Sequence, residues 1–121
     1  MSLWIWIGVG LCGGIGALAR FLLDGLISSR AARDFPYGTL AINTSGSLLL
    51  GLLTGLALSS NALVLAGGAT VGAYTTFSTW MLETRRLAED GEILAAAVNV
   101  LLSLAFGISA AVLGRAIGAH A

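Results

Sequence analysis

The 121-residue chain reads as an all-α membrane protein with four transmembrane helices, the third of them broken near Gly72–Thr76. Three observations lead there. Hydrophobic residues make up 57% of the chain and charged ones only 10%, whereas a soluble domain carries about 25% charged residues. The charges also lie between apolar runs: Leu3–Ala19, Phe35–Leu82 and Ile93–Gly114 contain none, and the middle run of 48 residues has room for two spans. Lastly, Gly72-Ala73-Tyr74-Thr75-Thr76-Phe77-Ser78-Thr79-Trp80 crowds four small hydroxyl side chains and three aromatics into that charge-free run. Irregular polar backbone survives at membrane depth only where it faces protein or a water-filled path.

A span needs about 20 apolar residues at 1.5 Å rise each. The first helix is expected over residues 3–28, running past Arg20 and Asp24. Ala17-Leu18-Ala19 imitates a signal-cleavage site, but no basic residue precedes the apolar run, so a retained helix is expected. Arg30–Pro36 is a polar linker, and Pro36 suits the first turn of a second helix over 36–58, where its missing N–H costs nothing. Ser59-Ser60-Asn61 turns the chain into the third helix, 62–88. Glu89-Asp90-Gly91-Glu92 turns it again into the fourth, 93–118. The whole of 1–121 is then one transmembrane domain, with mean hydropathy +0.93.

Six arginines against six acids leave no net charge and no basic stripe, so nucleic acid is not a partner. Cys12 is single and His120 lies in the tail, which leaves no disulfide framework and no metal-spaced cluster. Gly8-x-Gly10-x-x-Gly13 matches the dinucleotide fingerprint but lacks a preceding strand, and Asn43-Thr44-Ser45 matches a glycosylation sequon inside a span. No nucleophile–base set or intramembrane carboxylate pair is present, so the chain is not an enzyme. Its 17 glycines include Gly10/Gly14, Gly51/Gly55, Gly68/Gly72 and Gly114/Gly118, all four apart. That spacing lets helix backbones approach closely in lipid, and it offers more packing surface than four short helices use. Oligomerisation is expected.

Three helices carry uncharged polar stripes. Thr39, Asn43 and Ser47 share one face of the second helix at i, i+4, i+8. Thr75, Thr76, Ser78 and Thr79 cannot all point one way in a regular helix, which argues for the break, with Phe77 and Trp80 beside it. Asn99 and Ser103 continue the theme in the fourth helix. Such stripes serve either interhelical hydrogen bonding or an ion path. Freed carbonyls coordinate a small cation, half-helix N-termini face an anion, and aromatic ring edges attract anions without a formal charge. Arg20 is either an interfacial anchor or a lure for anions at an entrance.

The chain resembles the CrcB/Fluc family of fluoride channels, nearly end to end. The resemblance lies in Gly13-Gly14-x-Gly16-Ala17-x-x-Arg20, in Pro36-x-Gly38-Thr39-Leu40-x-x-Asn43-x-x-Gly46, and in Gly72–Thr79 followed by Glu83. It implies a multi-pass protein of the prokaryotic plasma (inner) membrane, of dual topology. It implies an antiparallel homodimer with two pores, passive fluoride export and fluoride resistance. By position it assigns Phe77 and Asn43 to the pore, Ser78 and Thr79 to a hydroxyl track, and Arg20 to a vestibule. Gly72 and Thr75 would give backbone carbonyls to a structural sodium ion (Na+) at the dimer interface. The second pore phenylalanine is matched by Trp80, whose N–H could bond fluoride or whose larger ring could narrow the path. Arg30, Arg33, Arg85 and Arg86 fall on one side and only Arg115 on the other, so the chain either tolerates this bias or pairs with an oppositely oriented paralogue. The competing reading is a small multidrug-resistance-type exporter exchanging protons for cations. That needs an ionisable carboxylate deep in a span, and none lies in the central part of any.

Overall fold

The computed structural model describes residues 1–30 and 35–121. Arg33 and Asp34, part of the expected polar linker, lie outside the described residues. The elements are α1 (Leu3–Arg30), α2 (Tyr37–Gly55), α3 (Ser60–Ala62), a π-helix (Leu63–Val71), α4 (Gly72–Tyr74), α5 (Ser78–Glu89) and α6 (Ile93–Ala119). The third span is thus composite: α3, the π-helix and α4 run on continuously from Ser60 to Tyr74, and α5 completes it after an interruption. Both α1 and α6 are long and apolar enough to cross a membrane on their own.

Glycine positions fix how the spans run. A Cβ on Gly51 or Gly55 would collide with the carbonyls of Ala111 and Arg115, and one on Gly114 or Gly118 with those of Leu48 and Leu52. The two glycine pairs therefore face each other, backbone against backbone, and α2 with α6 makes the most extensive interface. Both numbers climb together across this contact, so the second and fourth spans are parallel. Gly8 lies against Leu65 and Gly16 against the Thr70 carbonyl, which makes the first and third spans parallel too. The result is an up-down-up-down bundle. Among the described residues, a Cβ added at Gly10, Gly14 or Gly68 would meet nothing of another element within 4 Å, so these glycines stand on open faces.

Turns follow local chemistry. The Ser59 hydroxyl accepts from the Ala62 N–H and caps the third span. Gly91 turns the chain into α6 at φ +81°, in open space. Gly91→Ala should cost about 1 kcal/mol through the left-handed backbone alone, read as a modest fall in melting temperature.

The interruption falls at Thr75–Phe77, one turn later than the Gly72 at which it was expected to begin; Gly72 itself remains helical. Thr75 is extended (φ −81°, ψ 162°). Its hydroxyl donates back to the Val71 carbonyl at 3.1 Å, so a threonine side chain supports the helix end locally. The next turn is opened by a residue from another span.

Candidate ion pathway

That residue is Asn43 on α2. Its Nδ2 donates to the Thr76 carbonyl at 2.8 Å and its Oδ1 accepts the Thr76 N–H at 2.9 Å. One amide thereby serves both polar groups of the residue at the centre of the break, which hydrocarbon would otherwise leave stranded. The pair also fixes the amide's orientation, since turning it over would set donor against donor and acceptor against acceptor. On the far side, the Thr76 hydroxyl accepts from the Thr79 N–H at 3.2 Å and supports the start of α5. Tyr74 is tied to α2 as well, through 2.8 Å between its hydroxyl and that of Ser45.

Diverting the Thr76 N–H to Asn43 has a second effect. The Gly72 carbonyl loses the donor that an unbroken helix would supply and, among the described residues, keeps only the Thr75 hydroxyl at a marginal 3.5 Å. Gly72 as a residue is exposed on the single chain.

Two cavities flank the break. The larger, an open groove of about 610 Å³, includes Asn43, Ser47, Gly72, Thr75, Phe77, Trp80 and Ser103 in its walls. The smaller, about 170 Å³, is bounded by Arg20, Phe21, Asp24, Thr39, Ile42 and Thr79, together with Ala17. Thr76 borders both and forms the partition between them. Of the residues singled out in the sequence, Asn43, Phe77, Trp80 and Ser103 come together on the groove, and Arg20 and Thr79 on the smaller cavity. Ser78 is exposed and Asn99 is only 1% exposed; neither lines either space.

The groove's aromatics are arranged edge to face, with Phe77 and Trp80 centroids 5.7 Å apart at 82°. Phe77 is 70% exposed on the single chain. The Trp80 Nε1–H points to the Asn99 carbonyl at 3.4 Å, so its donor is directed at α6 rather than held free for the groove. Among the described residues the Ser103 hydroxyl is buried without a partner, as are Thr44 Oγ1 and Asn99 Oδ1. Ser103 thus borders the groove as a residue, while its hydroxyl oxygen is itself buried. In the smaller cavity the nearly buried Thr39 donates to Glu83 at 2.5 Å. The sequence reading placed Glu83 only in a motif. Its position four residues beyond Thr79, opposite a polar stripe on α2, was the available signal.

No group of three or more His, Cys, Asp or Glu side chains gathers among the described residues. Any cation here would depend on carbonyl oxygen.

Residues 7–115 match the family described as CrcB-like protein, Camphor Resistance (CrcB). Fluoride-specific ion channel FluC 2 of Mycobacterium tuberculosis is 57% identical over 111 residues, covering 92% of this chain and 88% of its own. Fluoride-specific ion channel FluC 1 of Symbiobacterium thermophilum is 45% identical over 119 residues, covering 93% and 96%. Fluoride-specific ion channel FluC of Geobacter metallireducens is 41% identical over 119 residues, covering 94% and 96%.

Proposed function

Because the chain belongs to the CrcB-like family, we propose that it is a fluoride-specific channel that exports the ion passively and so protects the cell from its accumulation. The observation that carries this reading is the partition at Thr76, a helix break held open by neutral hydrogen bonds between two cavities. Fluoride is small and a strong acceptor, so closely spaced O–H, N–H and ring-edge donors replace its water. Chloride is larger and accepts more weakly. Beyond the charged mouth at Arg20 and Asp24, the groove side of the path carries no fixed charge and so releases the ion again, which conduction requires. The route runs from Arg20 and Thr79, past Thr76, to Asn43, Phe77, Trp80 and Ser103.

Two antiparallel copies would close the groove. The exposed Phe77 and the open faces at Gly10, Gly14 and Gly68 support that arrangement, since they leave close-packing surface that one chain does not use. A self-paired dimer is the simplest form; a dimer with an oppositely oriented paralogue uses the same surfaces. The Gly72 carbonyl, short of a donor, fits a sodium ion shared with the Thr75 carbonyl and their counterparts in the second chain. Such an ion would supply positive charge to oxygens that the break has freed. The location that follows is the plasma membrane, crossed four times. The proton-coupled exporter weighed from the sequence is set aside, because the relatives are fluoride-specific channels.

Efflux from liposomes containing the purified protein tests the proposal. Fluoride should leave far faster than chloride, and equal rates would overturn it. Phe77→Ile should slow fluoride by roughly 5- to 30-fold, the rate equivalent of one lost ring–anion contact of about 1–2 kcal/mol, while the assembly elutes unchanged.

A further inference from the structure

Thr84 lines neither cavity, yet its hydroxyl belongs to a closed ring of hydrogen bonds between α5 and α6. Asn99 Nδ2 donates to Thr84 Oγ1 at 2.8 Å, and Thr84 Oγ1 donates to the Trp80 carbonyl at 2.8 Å. The ring closes where Trp80 Nε1 donates to the Asn99 carbonyl at 3.4 Å. Asn99 is 1% exposed while Trp80 and Thr84 are half-buried, so these bonds are partly shielded from the surroundings. Trp80 is gripped twice, once by its backbone and once by its indole. The indole bond is long and weak by itself. It persists only if α5 and α6 keep their spacing, and the Thr84–Asn99 bond is the link that sets this spacing at the level of the ring.

We infer that Thr84 and Asn99 are positioning residues that hold the Trp80 indole in its perpendicular arrangement with Phe77, and thereby set the spacing of the two rings. This rests on reading Phe77 and Trp80 as pore aromatics. It gives Asn99 a place beside the path rather than in it. It also explains how a tryptophan is tolerated at this position: a ring larger than phenylalanine must be kept to one side, and its N–H supplies the handle. A phenylalanine at position 80 has no N–H and makes no use of the Asn99 carbonyl.

The test is a cycle of fluoride efflux rates. Thr84→Val preserves shape and removes both the donor and the acceptor; it should slow flux roughly fivefold, the worth of one net hydrogen bond. Thr84→Ser should restore most of it. In a Trp80→Phe background, Thr84→Val should have no further effect, because there is no indole left to position. A merely structural threonine would slow both backgrounds alike, and that result, or no slowing in either, overturns the inference while leaving the channel intact. A second measurement leaves position 84 untouched. In a Trp4→Phe/Trp6→Phe background Trp80 is the single tryptophan, and its fluorescence anisotropy should report a ring fixed in the protein. Free rotation overturns the inference even if Thr84→Val does not fold. If instead Phe77→Ile conducts normally, the pore reading fails while the anisotropy still reports whether the ring is held.

Discussion

Replacing Asn43 with alanine is expected to reduce fluoride flux by at least about a hundredfold and to lower stability by about 2–6 kcal/mol. The stability loss follows from where its amide bonds go. Both the N–H and the C=O of Thr76 depend on it, and each group left buried without a partner costs about 1–3 kcal/mol. The chain's available relief is to rewind the break, so that the Thr76 N–H returns to the Gly72 carbonyl. Rewinding swings Phe77 and Thr79 around the helix axis, away from their cavities, and flux falls for that reason as well as through the lost donor. Asn43→Asp should not restore stability. A carboxylate oxygen still accepts the Thr76 N–H, but its second oxygen faces the Thr76 carbonyl with no hydrogen and its charge is costly to bury, so stability at neutral pH should be no higher than that of the alanine variant. Thermal denaturation in detergent and liposome efflux check both variants. A protein as stable as wild type after Asn43→Ala would mean that this amide does not hold the break.

Gly114→Leu should prevent the bundle from forming. The Cβ itself would occupy the place of the Leu48 carbonyl, so no rotamer removes the clash. Overpacking a side-chain core costs about 1–3 kcal/mol, and pushing two helix backbones apart costs more. Its counterpart Gly51 meets the Ala111 carbonyl in the same way, and the displaced interface is the most extensive in the chain. The expected readout is loss of the monodisperse peak on size-exclusion chromatography, with protein lost to aggregate. Gly10→Leu is the control. Among the described residues, a Cβ added there would meet nothing of another element within 4 Å in the single chain, so the bundle should fold, and any defect should appear in association between chains. Normal elution of Gly114→Leu would refute the backbone contact.

The sequence made the spans legible because lipid penalises charge so heavily that the charge-free runs mark them. The break was legible for a related reason: Thr75, Thr76, Ser78 and Thr79 have no common face in a regular helix. Its extent was less so, since Gly72 suggested a start that the structure puts at Thr75. What ends the helix is a bond from Asn43, 33 positions away in the chain, and local composition does not encode that. Glycine spacing told which residues permit close approach but not which pairs meet. Gly51 and Gly55 oppose Gly114 and Gly118, whereas Gly10 and Gly14, identical in pattern, stand open. Thr84 was hidden by its neighbours: between Glu83 and Arg85 it reads as part of a polar helix end, although its hydroxyl turns back to Asn99. The π-helix over Leu63–Val71 has no residue-type signature at all.

That wide stretch bears on how the chain can change length. A turn closed from i to i+5 stores one residue more than an α-helical turn. Losing a single residue within 63–71 can be absorbed by tightening the coil, leaving Thr75–Phe77 on its present side. The same deletion in α2 has no such slack, and it would swing Asn43 by about 100° off its target. Insertions and deletions inherited in the third span should therefore gather ahead of Val71, while the second span keeps its register.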